Sequence, residues 1–227
     1  MPVAIPLTPA LRRTLNLRRL ALFVLLGGGS VFFWHSPALI PLKIFVVFIH
    51  ETGHALATVL TGGRVLSMVV TPWESGYVRY IGGSPLVIAA AGYVGSALFG
   101  GILLLLAGRQ RWARSIFIGL AGLFGVVTLC FVHNTFGVIF GLGTAAMCGV
   151  LAWKRLPGVH YLVDVLAVMS TLYALYDLND FLYLGLRTDA VILAQITHVP
   201  AFFWALLWSA ISLLVIAITG RYALTRP

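Results

Sequence analysis

Lys43 to Leu60 reads KIFVVFIHETGHALATVL, an apolar run with His50, Glu51 and His54 set into its middle. The run from Leu42 to Thr61 is long enough to cross a bilayer as a helix. Residues four apart on a helix lie on the same face, so the imidazoles of His50 and His54 can converge on one ion. Glu51 follows the first imidazole directly and brings a carboxylate beside the open position of that ion, where it can act as a base rather than a ligand. A Glu between two His at membrane depth is costly unless paired, hydrated or metal-bound. The HExxH pattern at residues 50–54 therefore predicts a zinc centre, one Zn2+ per chain, within a membrane helix. The usual chemistry of this arrangement is peptide hydrolysis, because zinc lowers the pKa of a water from about 15.7 to about 7.

The rest of the chain agrees with a membrane setting. Of 227 residues, 60% are hydrophobic and 9% charged, and the mean hydropathy is +1.01, which excludes a soluble domain with a water-facing surface. The net charge of +9 sits in short segments between apolar runs, a pattern of membrane topology and not of nucleic-acid binding. Cys130 and Cys148 both lie in apolar stretches and predict no disulfide framework and no cysteine zinc cluster.

Spanning helices are expected at Leu42–Thr61, Pro85–Ala107, Ser115–Val132, Thr135–Trp153, His160–Tyr183 and Val199–Thr219. A seventh, Leu20–Trp34, is interrupted by Gly27-Gly28-Gly29. The fold class is thus an all-α polytopic membrane protein of six or seven transmembrane helices, a single integral membrane domain over residues 1–227. Residues 1–41 form an N-terminal anchor or interfacial segment, with no A-x-A-like cleavage site after its apolar run, and residues 42–219 the catalytic membrane core. If the first run does not cross, 12 of the 15 basic residues fall on one side and only Arg64, Arg79 and Arg187 on the other. The positive-inside bias then makes the first side cytoplasmic.

Between the first two firm spans, Val65–Thr71 and Tyr77–Tyr80 are rich in β-branched and aromatic residues, with Pro72, Ser75 and Gly76 as a turn. A β-hairpin is expected here, or else a re-entrant connecting segment. A hairpin edge beside the metal helix can hold an extended substrate by strand addition. Glu74 at the turn is read as solvated.

Two His leave a catalytic zinc one protein ligand short. Asp177 and Asp180 in LYALYDLNDFLY, residues 172–183, share one face of an apolar helix and are expensive there without a partner. Asp177 is the expected third ligand, with Asp180 the alternative ligand or a carboxylate that orients a His. Asp164 is expected to pair locally with His160, and His133-Asn134 to form a tight turn. His35 and His198 are not assigned to the metal. Gly92, Ser96 and Gly100 recur every four residues and mark a face for close helix approach.

With these residues in view the chain resembles the site-2 protease family of intramembrane zinc metalloproteases, in its compact branch without a PDZ domain. The resemblance rests on His50-Glu51-Thr52-Gly53-His54-Ala55, Thr61-Gly62-Gly63-Arg64, Glu74-Ser75-Gly76 and Ala91-Gly92-Tyr93-Val94-Gly95-Ser96-Ala97. It continues through Tyr176-Asp177-Leu178-Asn179-Asp180, Thr188-Asp189-Ala190 and the Trp204–Trp208 stretch. It implies a multi-pass enzyme, of the cell membrane, that cleaves membrane-protein or peptide substrates in or near transmembrane segments. It also implies His50 and His54 on zinc, Glu51 as base and an aspartate as third ligand. Better-studied members carry Leu-Asp-Gly at that aspartate, and neither Asp164 nor Asp177 precedes a Gly. The family's sites usually open toward the cytoplasm, opposite to what the charge tally predicts. Two other classes remain on sequence grounds: an ion- or proton-coupled transporter, against which no inverted repeat is evident, and a proteolytically inactive relative that binds membrane proteins.

Overall fold

A computed structural model describes residues 17–106, 110–181 and 188–224, with the side chains of residues 18 and 173–181 excluded. Its elements run α1 (Leu17–Phe32), a 3-10 turn (Pro37–Leu39), α2 (Ile40–Leu60), β1 (Arg64–Val70), β2 (Gly76–Ile81), α3 (Pro85–Leu106), α4 (Gln110–Phe131), α5 (Thr135–Lys154), α6 (His160–Phe181), α7 (Asp189–Thr197) and α8 (Ala201–Leu224). Among the described residues, five helices are long and apolar enough to cross a membrane: Pro37–Leu60, α3, α4, α5 and α8. α6 adds 22 residues, apolar over His160–Leu172. The protein is a multi-pass integral membrane protein.

α2 is the most buried of these spans, because α3, α6 and the hairpin surround it. It runs antiparallel to α3, with the Phe45 and Phe99 rings 6.3 Å apart at one end and Gly53 against Ala91 toward the other. Phe45 and Phe48 stack on Phe124 of α4 at 5.0 and 4.3 Å, which fixes the α4–α5 pair to α2. α3 is the hub, touching α2, α6, α7 and α8. The small-residue face read from the sequence is used: Gly92 faces α2, Ser96 is fully buried, and a Cβ at Gly100 would collide with Thr171 of α6.

The expected hairpin forms. β1 and β2 pair antiparallel from Arg64 opposite Ile81 to Val70 opposite Gly76, with a bulge between Val65 and Ser67. Thr61 closes its neck onto α2: its hydroxyl donates to Ala57 O at 2.7 Å and accepts from Ser84 N at 3.0 Å. The turn folds back along α2. There Glu74 is not simply solvated: its carboxylate pairs at 2.5 Å with Lys43, which is buried and lies 5.3 Å from the Trp34 ring. The outer edge of β1 is capped by the α4–α5 turn. His133 N donates to Met68 O at 3.1 Å, and the Asn134 amide donates to Val70 O at 2.7 Å while accepting from Val70 N at 3.2 Å. Asn134 thereby does the work of a third strand. Among the described residues, the outer edge of β2 has no backbone partner.

At the far end of the bundle Asp164 is buried against Arg19 at 3.5 Å rather than paired with His160, and Arg19 also donates to Ala223 O at 3.1 Å. This ties α1, α6 and α8 together. His160 instead bonds Gln110 at 2.6 Å. Cys130 and Cys148 are free thiols.

Candidate metal centre

The helical spacing of His50 and His54 brings their Nε2 atoms to 3.0 Å from each other. Asp189 Oδ2 completes a triangle, 3.0 Å from His50 Nε2 and 3.1 Å from His54 Nε2. A tetrahedral zinc with bonds of about 2.0–2.1 Å separates its ligand atoms by about 3.3 Å, so the three atoms suit one small divalent ion. The donor chemistry fits as well. His54 Nδ1 lies 2.6 Å from Ile88 O and donates to it, which leaves the lone pair of a neutral ring on Nε2, aimed at the other two ligands.

Each ligand is positioned by packing. Gly92 of α3 sits directly over the imidazoles: a Cβ there would come within 2.6 Å of His54 Nε2 and closer still to His50 Nε2. His50 also meets the edge of the Tyr93 ring at 4.7 Å, and Tyr93 stacks on Trp208 of α8 at 4.5 Å. Asp189 opens α7, where the Thr188 side chain caps the helix by accepting from Val191 N at 3.4 Å. Ala190 and Leu193 bury against Ala89, Tyr93 and Trp208, and this docks α7 on α3. Burial opposes a charge on Asp189, but His54 and His50 beside it outweigh that cost and hold its carboxyl well below the usual range.

Glu51 is buried one residue along from His50. Its Oε2 meets no hydrogen-bonding partner among the described residues, and its Oε1 lies so near Gly76 that a Cβ there would stand 2.8 Å away. A buried carboxylate oxygen with an open valence beside three converging ligand atoms is the arrangement expected of a base. The two groups share a cavity of about 470 Å3 lined by Glu51, His54, Asp189 and, from β2, Gly76, Tyr77 and Tyr80. Partial burial and then the Asp189 charge push the Tyr80 phenol above its usual range, so it remains an O–H donor in the cleft.

The structure sets His50 and His54 together at their Nε2 atoms, with Glu51 between them on α2. Asp177 and Asp180 lie on α6, and their side chains fall outside the described residues. The acid the structure brings to the imidazoles is Asp189, which the sequence offered only as part of the Thr188-Asp189-Ala190 resemblance and not as a metal ligand. A signal was present in Thr188-Asp189, a helix cap followed by an acid in the first turn.

A family model described as Peptidase M50B-like matches residues 23–219. The chain belongs to this family of membrane metallopeptidases, the site-2 protease family. The match takes in both imidazoles, Glu51, the hairpin and Asp189, so the M50B-like region and the structural site coincide. No curated protein and no solved structure matches the chain.

Proposed function

We propose that this M50B-like protein is a zinc endopeptidase that hydrolyses peptide bonds in or near the transmembrane segments of membrane-protein substrates. The observation that carries the reading is the convergence of His50, His54 and Asp189 next to the buried carboxylate of Glu51, whose Oε2 meets no hydrogen-bonding partner among the described residues. His50, His54 and Asp189 hold the ion, one per chain, and residues 42–219 form the catalytic core, with residues 1–41 its anchor. Zinc bound there supplies Lewis-acid polarisation of a carbonyl and a source of hydroxide near neutral pH. Glu51 takes a proton from the attacking water and returns it to the leaving amine. His54 is kept in the ligating tautomer by Ile88 O, and Tyr80 offers a donor to substrate in the same cleft. The free edge of β2 supports an extended substrate laid along it as a further strand, with its carbonyl brought past Gly76 to Glu51. A transmembrane substrate must unwind first, because helical hydrogen bonds shield its carbonyls.

The test is zinc content and cleavage measured on the same purified variants. Glu51→Gln retains zinc and loses about 10²–10⁴-fold in turnover of a cleavable membrane substrate. His50→Ala and Asp189→Ala lose zinc, whereas Asp177→Ala and Asp180→Ala keep it. Full cleavage by Glu51→Gln excludes the base. Zinc retained by Asp189→Ala but lost from Asp177→Ala or Asp180→Ala moves the third ligand to α6.

A further inference from the structure

We propose that a second cavity, at the opposite end of the bundle from the metal centre, binds the phosphate headgroup of an anionic membrane phospholipid. It has a volume of about 520 Å3 and lies where α4 begins and α5 ends, lined by Gln110, Arg111, Arg114, Leu151, Arg155 and Val159. Arg111 and Arg114 are three residues apart and so project from neighbouring positions on α4. Arg155 joins them from the left-handed C-cap of α5, at φ 48°. The rim is braced: the Gln110 amide donates to Leu156 O at 2.9 Å and its carbonyl oxygen bonds His160 at 2.6 Å.

Three exposed guanidinium groups around one cavity favour an anion there, and the described residues do not supply one. Among the described residues none of the three has a carboxylate in ion-pair range, and Asp164, on the adjoining helix, is already engaged by Arg19. Arginine's planar fork of donors matches phosphate oxygens. The depth is also right for a lipid. Trp112, Trp153 and Tyr161 are exposed around the same end, and such amphipathic rings settle at headgroup level. Arg111 lies 5.9 Å from the Trp112 ring, which holds its charge at that level. Leu151 and Val159 give the cavity an apolar wall that suits the start of acyl chains but offers nothing to a free inorganic ion. Basic pockets between helices are a recurrent way of holding anionic lipid headgroups.

The experiment is a titration of the purified full-length protein in neutral detergent with phosphatidylglycerol, with phosphatidylcholine of the same acyl chains, and with inorganic phosphate. Binding is read by native mass spectrometry, and folding by melting temperature. The wild type retains phosphatidylglycerol over phosphatidylcholine, and millimolar phosphate does not displace it. Each lost arginine weakens retention about fivefold and Arg114→Gln/Arg155→Gln about twentyfold, as expected for side chains that each attract an anionic surface. Arg64→Gln/Arg79→Gln, which removes two exposed charges elsewhere, leaves retention unchanged. Should the double variant fail to fold, Arg155→Gln alone, on an exposed turn, carries the fivefold effect. Equal retention of the two lipids, an unaffected Arg114→Gln/Arg155→Gln protein, an equal loss in Arg64→Gln/Arg79→Gln, or displacement by inorganic phosphate would each overturn the assignment.

Discussion

Gly92 presents hydrogen to the imidazoles where any other residue would present carbon. A Cβ at this position would overlap His50 Nε2, and relieving it by parting α2 from α3 would give up their close packing, in which Gly53 lies against Ala91. Gly92→Ala therefore rotates the two rings away from a common point. We expect at least a tenfold loss of zinc affinity, measured by competition with a chromophoric chelator, a size typical of changes to the groups that orient ligands. Gly95→Ala serves as the control, because its Cβ would make only ordinary contact, 3.6 Å from Gly53 Cα, and affinity should stay within twofold of wild type, roughly the experimental scatter. The imidazoles and Glu51 were legible in the sequence because one helix carries all three at fixed spacing. Asp189 was not. It lies 139 residues from His50, and depth in an apolar run, the criterion that favoured Asp177 and Asp180, says nothing about an acid on a short helix docked from the side.

The β-hairpin was legible as one of two readings, the other being a re-entrant connecting segment, from the β-branched runs around Pro72 and Gly76. Its attachment was not, because Lys43 reads in sequence as one more basic residue at a membrane surface. The structure buries Lys43 and gives its charge to Glu74 at the hairpin turn, two residues before the glycine that abuts Glu51. Removing only one partner strands the other. Glu74→Gln leaves a buried ammonium with a weaker acceptor and is expected to cost about 1–3 kcal/mol in thermal or denaturant unfolding. Lys43→Met leaves a carboxylate that is partly exposed and can hydrate, so it should cost less. The double variant should be more stable than Glu74→Gln alone. A double variant whose loss equals the sum of the two singles would mean that the pair carries no coupling.

For the whole molecule, the largest group of basic residues and the candidate metal centre occupy opposite ends. The Arg19–Asp164 pair, the Gln110–His160 contact, Arg155 and Arg221 gather where α4 and α6 begin and where α5 and α8 end. The candidate ligands His50, His54 and Asp189 lie toward the end where α2 stops and α3 starts. With the basic end in the cytoplasm, Arg64 faces the opposite compartment. In a protein with Cys130→Ser and Cys148→Ser, Arg64→Cys should react with a membrane-impermeant maleimide in intact cells and Arg155→Cys only after permeabilisation. The reverse pattern would give this chain the cytoplasmic opening that its family resemblance implies. Six or seven spans could be read from hydropathy alone, whereas the short α7 could not, because nine residues of mixed polarity look like a connection until Leu193 is seen buried against α3. That docking has a consequence in time. A nascent chain that has inserted α2 to α5 carries His50, His54 and Glu51 but not Asp189, so on the proposed ligand set the metal centre closes only once α7 has been made and docks.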